Sequence, residues 1–155
     1  MKYRFNNKVE FYITNVCNLT CQNCNRFNNY NFKGFQRWSD YSETYQRWSR
    51  HIELQSIVLM GGEPLLNRDI VKWVNGLRQL CPTSYGVQIQ SNGTRIDLVD
   101  GLYEACRSTH SWIGISLHML DDRAAIFNRI RNFLVHPIKE TTDLSARSEE
   151  RRVGK

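Results

Sequence analysis

Three cysteines lie close together near the start of the chain, in the segment Cys17-Asn-Leu-Thr-Cys21-Gln-Asn-Cys24. Their C-x3-C-x2-C spacing on a loop lets three sulfurs converge on one soft metal centre. Three protein ligands leave one metal position open to a small molecule. The segment therefore predicts a metal site with Cys17, Cys21 and Cys24 as its ligands.

Two other interpretations of these cysteines stay open. A zinc site would need a fourth ligand, for which Cys81, Cys106 and His51 are the candidates, and three inert buried thiols would need none. The C-x3-C-x2-C spacing differs from the paired C-x2-C arrangement of structural zinc sites. Cys81 and Cys106 fall on predicted helices with apolar neighbours and are interpreted as core thiols. An odd total of five cysteines favours free thiolates in a reducing compartment over disulfides.

A second motif, Gly61-Gly62-Glu63-Pro64, follows the apolar run Ile57 to Met60. Taken alone, it is consistent with a tight turn, since glycine adopts backbone angles that other residues avoid. Two residues without side chains also let the end of a strand approach a ligand closely. Glu63 can then accept a hydrogen bond from an ammonium group.

The hydrophobic pattern predicts an α/β fold in which strands and helices alternate four times. Period-two alternation or short apolar runs indicate strands, and apolar stripes of helical period indicate helices. Short connections between alternating elements imply a parallel sheet, with the chemistry beyond the carboxyl ends of its strands. The predicted strands span 8–16, 56–60, 86–91 and 111–118, and the predicted helices span 40–52, 67–81, 97–106 and 123–135.

Small or polar side chains share one face of each of the last two predicted strands. In the third strand this face carries Gln90 and Asn92, and in the fourth it carries Ser116 and His118. Such a face suits a lumen that holds a cofactor and a substrate. His118 is either a proton donor or acceptor there or a solvated bystander.

The cysteine spacing, followed by Gly61-Gly62-Glu63-Pro64 after the second strand, resembles the radical S-adenosylmethionine (SAM) superfamily over residues 8–135. The resemblance implies a partial (β/α) barrel and a 4Fe-4S cluster on Cys17, Cys21 and Cys24. It also implies that SAM binds the open iron and is reductively cleaved to methionine and a 5′-deoxyadenosyl radical, which abstracts hydrogen from an unidentified substrate. No catalytic residue beyond the cluster is assigned.

The resemblance also implies which residues contact SAM. Gly61, Gly62 and Glu63 would hold the amino group of its methionine part, and Ser116 in Ile-Ser-Leu-His matches a serine that contacts SAM. Asn23 stands where the family usually has an aromatic residue that offers backbone contacts near the adenine.

Residues Ser91-Asn92-Gly93-Thr94 look like the Thr-Asn-Gly turn of the family, with serine in place of threonine. We expect Gln90 and Asn92 to face the cofactor in the lumen. An ordinary Asn-Gly turn with no ligand role is the alternative interpretation.

The composition of the chain limits which cellular compartment and which partners we expect. The chain has neither an apolar run long enough for a membrane span nor a secretory signal at its start, so we expect a cytoplasmic protein without a membrane partner. The resemblance implies a small-molecule or peptide substrate and an electron donor such as flavodoxin or ferredoxin. A net charge of +6 and the basic and aromatic residues between 26 and 50 leave nucleic-acid binding as an alternative to a segment that covers the cluster.

The organisation along the chain predicts two parts. Residues 1–138 form a partial core domain with about four of the six βα units of the resembled barrel. Residues 139–155 are charged and nearly without apolar side chains, and we expect this tail to be disordered or foreign to the native fold.

Overall fold

The computed structural model describes residues 1–22, 24, 26, 34–117 and 123–135 of the chain. Four strands alternate with helices along this part of the sequence. The strands are β1 (Tyr3–Thr14), β2 (Ile52–Gly61), β3 (Val87–Ser91) and β4 (Trp112–Ile115). The helices are α1 (Trp38–Ser49), α2 (Ile70–Leu80), α3 (Leu102–Thr109) and α4 (123–135). None of these described helices combines the length and the apolar character that crossing a membrane requires.

The four strands form one parallel sheet in the order β1-β2-β3-β4. The longest pairing joins β1 to β2, from Tyr3 opposite Ile52 to Thr14 opposite Gly61. Because all strands run the same way, their carboxyl ends lie at one edge of the sheet, and the loops that follow them meet there. The predicted α/β fold, in which four parallel strands alternate with helices, is confirmed.

The hydrophobic core lies between the sheet and its helices. Odd-numbered residues of β1 and β2, such as Ile13, Ile57 and Leu59, are buried on the helix side of the sheet. Helix α2 covers them with Trp73 and Leu77, which are also almost fully buried. Each such side chain contributes about 1.5–3 kcal/mol when it leaves water, so this face supplies most of the stability of the sheet.

An aromatic seam joins α1 to α2. Trp38 packs against Trp73 with the ring centroids 5.1 Å apart, and Tyr45 lies within 5.9 Å of the same ring. The indole of Trp38 rests against the backbone of Gly76, where a Cβ atom would collide with the ring. Gly76 is therefore the residue that lets the two helices approach closely.

The observed bounds of most elements differ from the predicted ones, and the largest differences are at the starts of β1, β2 and α3. β1 begins at Tyr3 rather than at residue 8, because its first residues pair with the start of β2. A register shift between Phe5 and Lys8 interrupts the alternation there, so the pattern of β1 alone does not reveal this pairing. Helix α3 begins at Leu102 rather than at Asp97, since turns occupy 94–100 and Asp97 accepts a hydrogen bond from Arg129 at 2.8 Å. The tail at 139–155 lies outside the described residues.

We expect Gly76→Ala to lower the free energy of unfolding by about 1–3 kcal/mol, because the new methyl group overpacks the contact with Trp38. This loss outweighs the gain of up to about 1 kcal/mol that alanine brings to a helix interior. Urea denaturation measures the change. Asn75→Ala, at the exposed neighbouring position of α2, is the matched control and should be neutral or slightly stabilising. Equal stability of the two variants would contradict the packing role.

Candidate functional site

The end of β2 runs directly against the loop that carries the cysteines. The backbone N–H of Gly62 donates to the carbonyl of Thr14 at 2.9 Å, and that of Glu63 donates to the carbonyl of Val16 at 2.8 Å. A Cβ atom at Gly61 or Gly62 would overlap these carbonyl oxygens. Gly61 also has a φ of 146°, which side chains disfavour. The two glycines are therefore required for the β2 end to reach the cysteine loop.

The cysteine cavity, about 840 Å³ in volume, opens at this edge of the sheet. Residues from the cysteine loop and from all four strands or their ends line it: Cys17, Cys21 and Cys24 from the loop, Lys8 and Glu10 from β1, Gly61 and Gly62 at the end of β2, Gln90, Ser91 and Asn92 at the end of β3, and Ser116 directly after β4. All three cysteines are half-buried. The structure therefore brings the predicted metal ligands and most of the predicted cofactor contacts to one cavity. Asn23 and His118 lie outside the described residues.

The donor set of the cysteine cavity suits a soft metal centre, because three thiols from one short loop open onto the same space. Cys21 and Cys24 are joined by a turn in which the Cys24 N–H donates to the Cys21 carbonyl at 3.3 Å. Across the described ranges, no three side chains of the His, Cys, Asp and Glu types are grouped closely enough to hold a metal ion.

The environment of Cys17 favours the neutral thiol. Burial is the largest influence and raises the pKa of Cys17 above its ordinary value. The backbone N–H of Leu19 donates to the sulfur at 3.4 Å and lowers the pKa in part. Negative charge on Glu63, Cys21 and Cys24 raises it further. A bound cation would reverse this preference, since metals bind the thiolate.

The candidates for a fourth zinc ligand lie elsewhere. Cys81 and Cys106 are buried in the core, and burial raises the pKa of Cys106 to about 11. His51 follows the end of α1, where its backbone N–H donates to the carbonyl of Trp48. None of the three is among the described residues that line the cysteine cavity. The structure therefore does not favour a zinc site completed by these residues.

Glu63 is fully buried and is not among the described residues that line the cavity. Its Oε1 accepts from the Leu65 N–H at 3.0 Å and from the Ser91 hydroxyl at 2.7 Å, and its Oε2 accepts from the Asn92 N–H at 2.7 Å. The carboxylate thus joins the end of β2 to the end of β3. The side chain is thus engaged inside the protein, and the expected contact between Glu63 and a ligand ammonium stays a prediction.

A ring of three hydrogen bonds, which we call the Asn18 ring, ties the cysteine loop to the turn after β3. Asn18 Nδ2 donates to Thr94 Oγ1 at 2.8 Å, Thr94 Oγ1 donates to Asn92 Oδ1 at 2.7 Å, and Asn92 Nδ2 donates to Asn18 Oδ1 at 3.0 Å. Asn92 lines the cavity, and its side-chain amide is engaged in this ring. Asn18 is not among the site residues predicted from the sequence, although its polar side chain directly follows the first cysteine.

The wall formed by β1 carries charged side chains. Arg26 approaches Glu10 at 3.5 Å, donates to the Tyr12 hydroxyl and lies over the Tyr12 ring, with its guanidinium carbon 5.2 Å from the centroid. Arg26 belongs to the stretch of basic and aromatic residues between 26 and 50. In the same stretch, Trp38 and Tyr45 pack in the aromatic seam. Arg26, Trp38 and Tyr45 of the proposed nucleic-acid segment are thus engaged within the protein, whereas Phe35 and Trp48 are exposed. Phe27, Tyr30, Phe32 and Lys33 lie outside the described residues.

The sequence pattern of the Radical SAM superfamily matches residues 11–151 of the chain. The match includes all residues that line the cysteine cavity except the two on β1 before Phe11. It also extends past residue 138, where composition predicted the end of the core domain. No curated protein matches the sequence.

We expect Asn18→Ala to loosen the cysteine loop, because it removes two bonds of the Asn18 ring, each worth about 0.5–1.5 kcal/mol net. Hydrogen exchange of the amides at 19–22 should accelerate, and the free energy of unfolding should fall by about 1 kcal/mol or more. Thr94→Ser keeps the hydroxyl of the ring and is the conservative control. Exchange rates in Asn18→Ala equal to those of the unaltered chain would show that the ring does not restrain the loop.

Glu63→Gln tests the anchoring role of the carboxylate. Either orientation of the new amide places an N–H₂ group against a backbone N–H, of Leu65 or of Asn92, so a buried donor loses its acceptor. We expect the free energy of unfolding to fall by about 1–3 kcal/mol. Glu104→Gln makes the same change at an exposed position of α3 and should have little effect. A neutral Glu63→Gln would count against the anchor.

Proposed function

The chain belongs to the radical SAM superfamily, and on this premise we propose that it is a radical SAM enzyme whose Cys17, Cys21 and Cys24 ligate a 4Fe-4S cluster. When bound, the cluster supplies the electron that cleaves SAM to methionine and a 5′-deoxyadenosyl radical, and this radical abstracts hydrogen from the substrate. The protein places the reactants and excludes water.

The observation that carries the proposal is the shared cavity. Three thiols from one loop, a pair of glycines at the end of β2 and polar residues from β3 and β4 all line the same space. A cluster needs the thiols, and a cofactor that reaches the cluster needs backbone and polar groups beside it. A cavity of about 840 Å³ has room for both.

Each wall of the cysteine cavity has its own role in this proposal. Gly61 and Gly62 expose backbone groups that no side chain covers, and these groups are suited to the methionine part of SAM. Glu63 acts behind them, as the anchor of the β3 turn. Ser116 offers a hydrogen bond from the opposite wall, where Gln90 lies beside it. Asn23 would contribute backbone contacts near the adenine, as the family resemblance implies.

The substrate and the partners belong to the proposal too. We propose a small-molecule or peptide substrate that enters along the β1 wall, where Lys8, Glu10 and Arg26 line the cavity. The electron would come from a carrier such as flavodoxin or ferredoxin. A reducing compartment such as the cytoplasm suits the free thiols.

Anaerobic reconstitution with iron and sulfide tests the ligand set. We expect about four irons and four sulfides per chain, as one cubane requires. Cys17→Ala, Cys21→Ala and Cys24→Ala should each abolish stable incorporation, because a cubane with fewer than three protein thiolates is poorly held. Iron and sulfide assays, together with the visible absorption of the product, measure the outcome.

Cys81→Ala and Cys106→Ala are the matched controls, since both thiols lie in the core away from the cavity. They should lower stability through lost packing while iron content stays unchanged. Equal loss of iron from all five variants would refute the ligand assignment. Stoichiometric zinc binding without sulfide would favour the zinc alternative instead.

A further inference from the structure

Two glutamines and a serine form a hydrogen-bonded row across β3 and β4. Gln88 Nε2 donates to Gln90 Oε1 at 3.1 Å, and Gln90 Nε2 donates to Ser116 Oγ at 2.7 Å. All three side chains are half-buried. Gln88 and Gln90 share a face because strand side chains alternate, and Ser116 follows β4 beside them.

This row has a direction. Gln88 donates to the amide oxygen of Gln90, so the amide nitrogen of Gln90 is the group that faces Ser116. The serine oxygen therefore accepts, and its own single proton must point elsewhere. No acceptor for that proton is found among the residues that the structure describes, and Ser116 lines the cysteine cavity. The hydroxyl proton is thus available to a ligand in the cavity.

Gly114 provides the space for the row. A Cβ atom on Gly114 would lie 2.9 Å from Gln88 Nε2 and 3.0 Å from Gln90 Oε1, tighter than ordinary contact. Glycine weakens a strand interior, so its presence in β4 needs a reason. The two amides lying across its backbone supply one.

We propose that Gln88 and Gln90 are positioning residues that orient the Ser116 hydroxyl as a hydrogen-bond donor toward the bound cofactor. Resting on the proposed function, this inference requires that the SAM atom facing Ser116 is an acceptor oxygen, either of the ribose or of the methionine carboxylate. Gln90 acts through Ser116 and does not itself bind the cofactor.

The test uses Gln90→Glu in the full chain loaded with its cluster. The change keeps the shape of the side chain, but a carboxylate only accepts, so it draws the Ser116 proton toward itself and reverses the row. We expect the dissociation constant for SAM, measured by anaerobic calorimetry, to rise about tenfold, as loss of one good hydrogen bond predicts. Iron content and melting temperature should stay close to those of the unaltered chain.

A double-mutant cycle separates positioning from direct contact and from charge repulsion. In the Ser116→Ala background there is no hydroxyl to orient, so Gln90→Glu should weaken SAM binding no further. A further loss of similar size in that background would overturn the proposal, because Gln90 would then act on the cofactor itself. Gly114→Ala, which displaces the amides without changing their chemistry, should weaken SAM binding in the same direction and is the second variant if Gln90→Glu folds poorly.

Decarboxylated SAM identifies the acceptor oxygen. If Ser116 donates to the carboxylate, Ser116→Ala should no longer weaken binding of this analogue, whereas donation to the ribose predicts an undiminished effect. Both results support the proposal. Unchanged SAM affinity in Gln90→Glu would overturn the positioning role alone, while failure of the unaltered, cluster-loaded chain to bind SAM would overturn this inference together with the proposed function.

Discussion

The buried carboxylate of Glu63 holds the ends of β2 and β3 together, and the geometry of the cavity depends on it. Removing a carboxylate from water costs several kcal/mol unless hydrogen bonds compensate. Here the N–H groups of Leu65 and Asn92 and the hydroxyl of Ser91 point at its two oxygens. The need to satisfy the charge therefore fixes where β3 ends relative to β2. The end of β4 is held against the end of β3 in turn, because the Ser116 N–H donates to the carbonyl of Ser91.

The cysteine loop is attached to this frame on two sides. On one side its backbone carbonyls at Thr14 and Val16 accept from the β2 end, which only glycine residues can approach closely enough. On the other side the Asn18 ring joins it to the β3 turn. Both attachments lie close to Cys17 in sequence. The position of the Cys17 sulfur is thus fixed by the sheet, whereas the positions of the Cys21 and Cys24 sulfurs depend on the rest of the cysteine loop.

Patterns in the sequence predict the fold well because burial decides it. Continuous apolar runs indicate strands covered on both faces, and helical stripes indicate α2 and α4, so the order of elements follows from hydrophobicity alone. The cavity wall was partly predictable for the same reason, since alternation assigns Gln90 and Ser116 to one face. The alternation of side chains along a strand does not show which group a polar side chain binds. The sequence motif predicts a ligand contact for Glu63, but it does not reveal that the carboxylate accepts from the N–H groups of Leu65 and Asn92, beside the ends of β2 and β3.

The two faces of the sheet divide stability from chemistry. On the helix side, apolar side chains such as Ile13, Leu59 and Leu77 are buried and have no polar atoms to pair, so this packing is insensitive to the direction of any hydrogen bond. On the cavity side, polar side chains such as Gln88, Gln90 and Ser116 are held by hydrogen bonds in which each atom either donates or accepts. At a half-buried side chain of the cavity wall such as Gln90, a change that preserves shape but reverses a donor therefore leaves the core packing intact and alters the binding of a ligand. Because packing on the helix side stabilises the fold, the residues along the carboxyl edge of the sheet can be those that ligand binding requires.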